Sequence, residues 1–360
     1  MNRAAGPGRT TGTGALCVLA ASVLWGTTGT AATLAPAVGP LAIGAVAMGM
    51  GGLLQALFAA PRIARHAARL RERRGTVLLG AVSVAVYPLA FYSSMRLAGV
   101  AVGTVVSIGT APLASALIER AVDGRRLTRR WGSAAALGML GTILLCAAEA
   151  AHATGDTGQA SVAATLLGVA LGLVAAATYA LYSWAAHRLI TGQIPSRAAM
   201  GAVFGLGGLF LLPVLAVTGA PLLGSWSNAA VGVYMALVPM FIGYVLFGWG
   251  LAHVPASTAT TLSLLEPAVA AVLAVVVVGE RLPAAGWAGI ALVIVCLAVL
   301  TAPARRPRRR SGEPVTGPDA RDAQAGLARP GGAVAHPSGP ATGGSVPAAV
   351  QGRRAVSRSR

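Results

Sequence analysis

Ten apolar runs, each close to twenty residues long and nearly free of charge, leave this chain few folds to adopt. A helix needs about 20 predominantly apolar residues to cross about 30 Å of hydrocarbon. The runs lie near 14–34, 38–60, 75–95, 99–118, 131–149, 162–186, 199–219, 229–250, 256–278 and 285–302, with a short hinge around Gly99. A membrane β-barrel would show alternating segments of about ten residues instead, and none is present. The expected fold is an all-α membrane protein with ten transmembrane helices. Composition agrees, because charged residues make up 11% of the chain against about 25% in a soluble domain.

The first run follows Arg3 and Arg9, which resembles the start of a secretory signal peptide. It is longer than a signal-peptide core and nine runs follow it, so it reads as a retained helix. The net charge of +18 invites a nucleic-acid reading, but the charge is not spread at random. Every basic residue is arginine. With the N-terminus inside, 26 of the 28 arginines fall in the inner loops and tails, and only Arg96 and Arg281 fall outside. The positive-inside rule accounts for this pattern. It predicts a multi-pass protein of the cell membrane with both termini in the cytoplasm, and no nucleic-acid partner.

Beyond Pro303 the chain turns to Pro, Gly, Ser, Ala and Arg. Such a segment buries too little apolar surface to offset its ordering entropy and is expected to be disordered. Its cluster from Arg305 to Arg310 reads as a topology anchor, with anionic lipid as the alternative partner. Cys17, Cys146 and Cys296 lie inside runs at spacings that fit neither a metal site nor a disulfide framework. They read as small apolar fillers.

The chain also repeats itself. Gly99–Pro112 aligns on Val254–Pro267 without a gap at an offset of 155 residues, and Gly49–Leu53 aligns on Gly205–Leu209 at 156. Trp25 corresponds to Tyr179 at 154. Each match is weak in a Gly/Ala/Leu-rich chain, but their near-constant offset is not. Five helices per copy is an odd number, so the second copy must enter the membrane from the opposite side. The expected organisation is a tail over 1–13, a first repeat over 14–149, an inverted second repeat over 150–302, and a tail over 303–360. Inverted repeats recur in secondary transporters that bind substrate near the midplane.

Three stretches carry a resemblance to a known family: Leu24-Trp25-Gly26; Ala252-His253-Val254-Pro255-Ala256-Ser257-Thr258-Ala259 with Leu264-Leu265-Glu266-Pro267; and Gly279-Glu280-Arg281-Leu282. The sequence resembles the drug/metabolite transporter superfamily, of the EamA type, over residues 14–302. That resemblance implies a ten-helix bundle around a central cavity and export of amino acids, other metabolites or drugs. Two positions depart from the family pattern. Arg125 stands in Asp123-Gly124-Arg125-Arg126 where the first repeat usually has a glutamate, and Pro40-Leu41-Ala42-Ile43 lacks a basic residue. No relative's substrate is therefore transferred.

Glu266 is the one carboxylate that these spans put near mid-membrane, where an ionisable group faces a cavity or a partner. It is a candidate proton carrier or counter-ion for an amine; a structural acid bonded to backbone freed by Pro267 is the alternative. Pro112 and Pro267 are expected mid-helix, as kinks or hinges. Among the aromatic residues, Trp25, Tyr92, Tyr179 and Tyr244 lie deepest and are candidates to line a substrate cavity. Tyr87, Tyr182, Trp184 and Trp249 fit an interfacial belt. Glu280 and Arg281 are expected to cap a turn, and Glu149, His152 and Asp156 to form an outer loop. His187 and His253 fall near helix ends. Small-residue spacings at Gly168/Gly172 and Gly201/Gly205 permit close helix contact, within the chain or in a homodimer.

No phosphate-binding loop is present, so the chain is not expected to hydrolyse ATP, nor to carry a cofactor or a metal. The leading expectation is a secondary transporter exporting small molecules by alternating access, with no catalytic residues. A membrane enzyme would need clustered acids or histidines at one face. An accessory or sensor protein that keeps the fold without transport is the other alternative.

Overall fold

The computed structural model describes residues 7–152, 162–278 and 282–302. Among the described residues there are ten membrane-length helices: α1 (Gly12–Thr33), α2 (Pro40–Arg65), α3 (Arg74–Ala98), α4 (Val102–Asp123), α5 (Arg129–Ala148), α6 (Val162–Thr191), α7 (Ser196–Thr218), α8 (Trp226–Leu251), α9 (Ala256–Val277) and α10 (Ala284–Thr301). Each expected run is one of them, because with no water in hydrocarbon a helix is what satisfies the backbone within one segment. Helical backbone also continues from α5 to His152, so positions 149 and 152 are helical where a loop was expected. Asp156, Glu280, Arg281 and the tail beyond residue 302 lie outside the described residues.

Of the helices that the repeat makes equivalent, α2 packs against α7, α4 against α9 and α5 against α10, and the first and last of these pairs run antiparallel. Along α2 and α7, Gly49 meets Gly208, Gly52 meets Phe204, Ala56 meets Gly205 and Ala59 meets Gly201. Along α5 and α10, Gly138 meets Cys296, and Gly141 meets Gly289 and Val293. One chain number rises as its partner's falls. Other contacts fit a twofold pattern: α3 and α4 pack on α6, as α8 and α9 pack on α1.

Glycine makes the α2–α7 contact possible. A Cβ on Gly208 would stand 2.5 Å from the Gly49 carbonyl oxygen, and one on Gly52 would strike the Phe204 carbonyl. Backbone cannot yield as a side chain does. Gly208→Val is therefore expected to cost about 1–3 kcal/mol of overpacking or more, read as a lower unfolding midpoint in detergent. Gly168 and Gly172 are likewise occupied inside the chain, against Ala98 and Ser94. Both small-residue spacings noted in the sequence thus serve packing within the chain.

Two helices are broken at equivalent places. The stretch Val105–Gly109 of α4 widens to a π-helix, and a new α-helix runs Ala111–Asp123. In α9 one helix ends at Leu262 and the next runs Leu265–Leu273. Pro112 and Pro267 are thus not mid-helix kinks, as expected from sequence. Each sits in the first turn of a second half-helix, where a missing N–H costs no intrahelical bond.

The end of the bundle holding Arg65, Arg74, Arg129 and Arg188 is here termed the arginine-rich end. Some of its arginines are structural. Arg130 donates to the carbonyls of Val299 (2.7 Å), Leu300 (3.2 Å) and Ala302, capping the orphan carbonyls where α10 ends. Arg69 donates to the carbonyl of Gln193 at 2.9 Å. Cys146 and Cys296 are buried and Cys17 is half-buried.

Candidate functional site

Near the midpoints of α1, α2, α3, α6, α8 and α9 the helices part around a cavity of about 30 Å³. Its wall is aromatic, built from Trp25, Tyr87, Phe91, Tyr92, Tyr179, Tyr182 and Tyr244, with Met48 and Met240 beside them. Among the described residues, Glu266 is the one acidic side chain on that wall, and no basic side chain stands there. A void of this size holds about one water, so an organic solute needs the helices to separate. A wider groove of about 760 Å³ between α2, α7 and α8 carries only apolar side chains and glycines, with Leu223 and Val233 exposed. It is a hydrocarbon-facing surface rather than a site for polar chemistry.

All five residues singled out from sequence for the cavity meet there: Trp25, Tyr92, Tyr179, Tyr244 and Glu266. The break in α9 positions Glu266. Its backbone N–H bonds the Ser263 carbonyl at 2.9 Å, and its side chain projects from the first turn of Leu265–Leu273. That half-helix presents the positive end of its dipole toward the carboxylate. Among the described residues no group hydrogen-bonds or pairs with the Glu266 carboxyl. The alternative of a structural acid bonded to freed backbone does not match this arrangement.

The aromatic polar edges are used to hold the wall. Trp25 donates its indole N–H to the Pro239 carbonyl at 2.9 Å, tying α1 to the π-helix Ala236–Ile242 within α8. Tyr179 donates to Ser263 Oγ at 2.7 Å, and Ser263 Oγ donates to the Thr260 carbonyl at 2.8 Å. The Tyr182 and Tyr244 hydroxyls share a bond of 2.8 Å. Rings pack closely as well, with Trp25 and Tyr244 centroids 4.8 Å apart and Phe204 and Tyr244 at 4.4 Å.

Tyr87 and Tyr182 were assigned to an interfacial belt from sequence, and the structure overturns this. Both reach the cavity wall. The signal was available: Tyr87 and Phe91 are four apart on α3, and Tyr179 and Tyr182 three apart on α6, so each pair shares a helix face. Trp184 and Trp249 do not reach the cavity. Trp184 donates to Asp123 Oδ2 at 2.7 Å, and the Trp249 ring lies tilted against His253 with centroids 4.2 Å apart. His187 meets the Leu251 carbonyl through Nδ1 at 2.7 Å, bridging helix ends.

Sequence reasoning missed Glu119 altogether, because the fourth run was ended at residue 118. The structure buries it at 1% exposure between α4 and α9. Its carboxylate accepts from the Ser257 backbone N–H at 3.1 Å and from Ser257 Oγ at 2.7 Å. Glu119 therefore caps the first half-helix of α9 from another span, where Pro255 at the N-cap offers no side-chain oxygen. One turn on, Asp123 holds Trp184 and forms an ion pair with Arg188. Thr260 Oγ1 donates to Ser115 Oγ at 3.1 Å just below. Between cavity and arginine-rich end, polar bonds thus tie α4 to both α6 and α9.

Comparison with known proteins agrees with this architecture. The EamA-like transporter family model matches twice, over residues 12–147 and 166–302. An uncharacterized transporter of Bacillus subtilis, YwfM, is 34% identical over 294 residues, covering 81% of this chain and 95% of that protein. The threonine/homoserine exporter RhtA of Escherichia coli K12 is 27% identical over 267 residues, 74% of this chain and 83% of its own. A solved crystal structure shares the fold with a TM-score of 0.62 at 23% identity, covering 79% of this chain and 95% of that one. The chain is a multi-pass membrane protein that belongs to the EamA-like transporter family.

Proposed function

We propose that this protein exports small amphipathic metabolites, amino acids first among them, across the cell membrane by alternating access. The observation that carries the reading is the unpartnered Glu266 carboxyl, on an aromatic wall at mid-depth, where α9 is broken. Broken helices at the interface of inverted repeats supply substrate and coupling-ion sites in secondary transporters. A carboxyl group there attracts an ammonium and exchanges protons, while tyrosine and tryptophan faces suit a cationic or amphipathic body. The likeness to the threonine/homoserine exporter supports an amino-acid substrate. Arginine placement supports cytoplasmic termini, with the arginine-rich end facing the cytoplasm. On this reading Glu266, Trp25, Tyr92, Tyr179 and Tyr244 contact substrate, protons are the coupling ion, and the two half-helices begun near Pro112 and Pro267 are the moving parts.

The test is export from cells overexpressing the chain against a deletion strain, loaded with threonine, homoserine and a panel of other amino acids and drugs. Faster efflux of at least one amino acid is the expected result. No efflux of any solute, with the protein present in the membrane, would favour the accessory or sensor reading.

A further inference from the structure

A second cavity, of about 160 Å³, lies apart from the aromatic one, between α1, α2, α7 and α8 toward the arginine-rich end. One of its lining residues is out of keeping with a passive crevice. Gln55 on α2 is 3% exposed, and neither Oε1 nor Nε2 of its amide has a hydrogen-bond partner. Buried polar side chains nearly always find partners, and this one is part of the cavity wall. At the same cavity stands Arg197, the second residue of α7. Its guanidinium rests over the Phe58 ring at 4.7 Å and makes no ion pair among the described residues. Phe58 and Trp249 are both well exposed on the outer surface of the bundle, so the mouth opens toward lipid.

These features ask for one kind of occupant. It must carry a negative charge for Arg197 and both a donor and an acceptor for the Gln55 amide, and it must arrive from the bilayer. We propose that this cavity binds the headgroup of phosphatidylglycerol. The phosphate pairs with Arg197, which offers a fork of N–H donors matched to phosphate oxygens. The headgroup glycerol enters the cavity, and its two hydroxyls, each able to donate and accept, satisfy Gln55 Oε1 and Nε2. Its acyl chains stay in the bilayer against Phe58 and Trp249. Basic pockets between spans on the cytoplasmic side are a recurrent form of lipid recognition. Phosphatidylethanolamine brings only donors beyond its phosphate, and phosphatidylcholine neither donor nor net charge, so both should bind more weakly.

The experiment is native mass spectrometry of the delipidated full-length protein titrated with phosphatidylglycerol, phosphatidylethanolamine or phosphatidylcholine, with unfolding midpoints measured alongside. Phosphatidylglycerol is expected to be retained about tenfold better than phosphatidylcholine and to raise the midpoint. Arg197→Gln, at an exposed position, and Gln55→Leu should each remove most of that preference. Equal retention of all three lipids, or a preference unchanged in both variants, would overturn the assignment. So would saturation of the site by free glycerol 3-phosphate or by an amino acid, since either would make it a site for soluble molecules.

Discussion

Glu266→Gln is expected to lower transport at least about tenfold and to flatten its dependence on pH. Glutamine keeps the size of the side chain and its place in the first turn of Leu265–Leu273, and removes only the ability to carry a charge and exchange a proton. Because no group among the described residues bonds the native carboxyl, the substitution breaks no fixed contact there and should leave the unfolding midpoint nearly unchanged. Loss of a charge-assisted bond to a substrate ammonium is worth about 1.5–3 kcal/mol, and every 1.4 kcal/mol is tenfold in affinity. The measurement is efflux from proteoliposomes over a range of internal and external pH. Native rates with native pH dependence would remove Glu266 from both roles. Glu266→Asp, which keeps the charge and moves it back by one methylene, should recover part of the rate and all of the pH response.

Opening of the arginine-rich end is the second large effect expected, on replacing Glu119 by alanine. The side chain accepts two hydrogen bonds from Ser257 across 138 residues of sequence. Removing it leaves the Ser257 N–H without a partner in a buried place, at a cost of about 1–3 kcal/mol. If that cost falls on the closed arrangement alone, the closed-to-open ratio shifts about five- to 150-fold. A cysteine introduced at Met48 on the cavity wall, in a background lacking the three native cysteines, reports the change. Its labelling by a membrane-impermeant reagent from the arginine-rich side should accelerate in Glu119→Ala. Glu119→Gln, which keeps one acceptor oxygen, should lie between. Unchanged labelling in a folded Glu119→Ala protein would show that the bond caps α9 without holding that end shut.

The two experiments probe opposite kinds of carboxylate, and the sequence distinguished them only in part. Glu266 stood out because it interrupts an apolar run, and an ionisable group in hydrocarbon needs a reason. Glu119 looked like the first residue of a loop, since it is followed by Arg120, Asp123 and Arg125. Hydropathy ends a span where charges begin. It cannot register that a charge just beyond the boundary is turned inward onto the start of a different helix. Tyr87 and Tyr182 were misassigned for a related reason: depth along a helix can be counted from sequence, but the direction of a side chain around the bundle depends on which neighbours it packs against.

Gly49–Leu53 and Gly205–Leu209 mark the other side of this division. They were visible as a repeat, and the structure shows their glycines in contact. Copies related by a twofold axis meet wherever they approach that axis, so a sequence repeat there becomes an interface. What the sequence determined alone was whatever hydrocarbon enforces one segment at a time: ten membrane-length helices, with the inner side for the arginines and, by counting to five, the inversion of the second copy following as expectations. Where half-helices begin, which carboxylate stays unpartnered and which caps a distant span, and where a buried amide is left without a partner were decided only in the tertiary structure. Those outcomes depend on contacts between segments far apart in the chain, and solvation of one segment at a time carries no information about them.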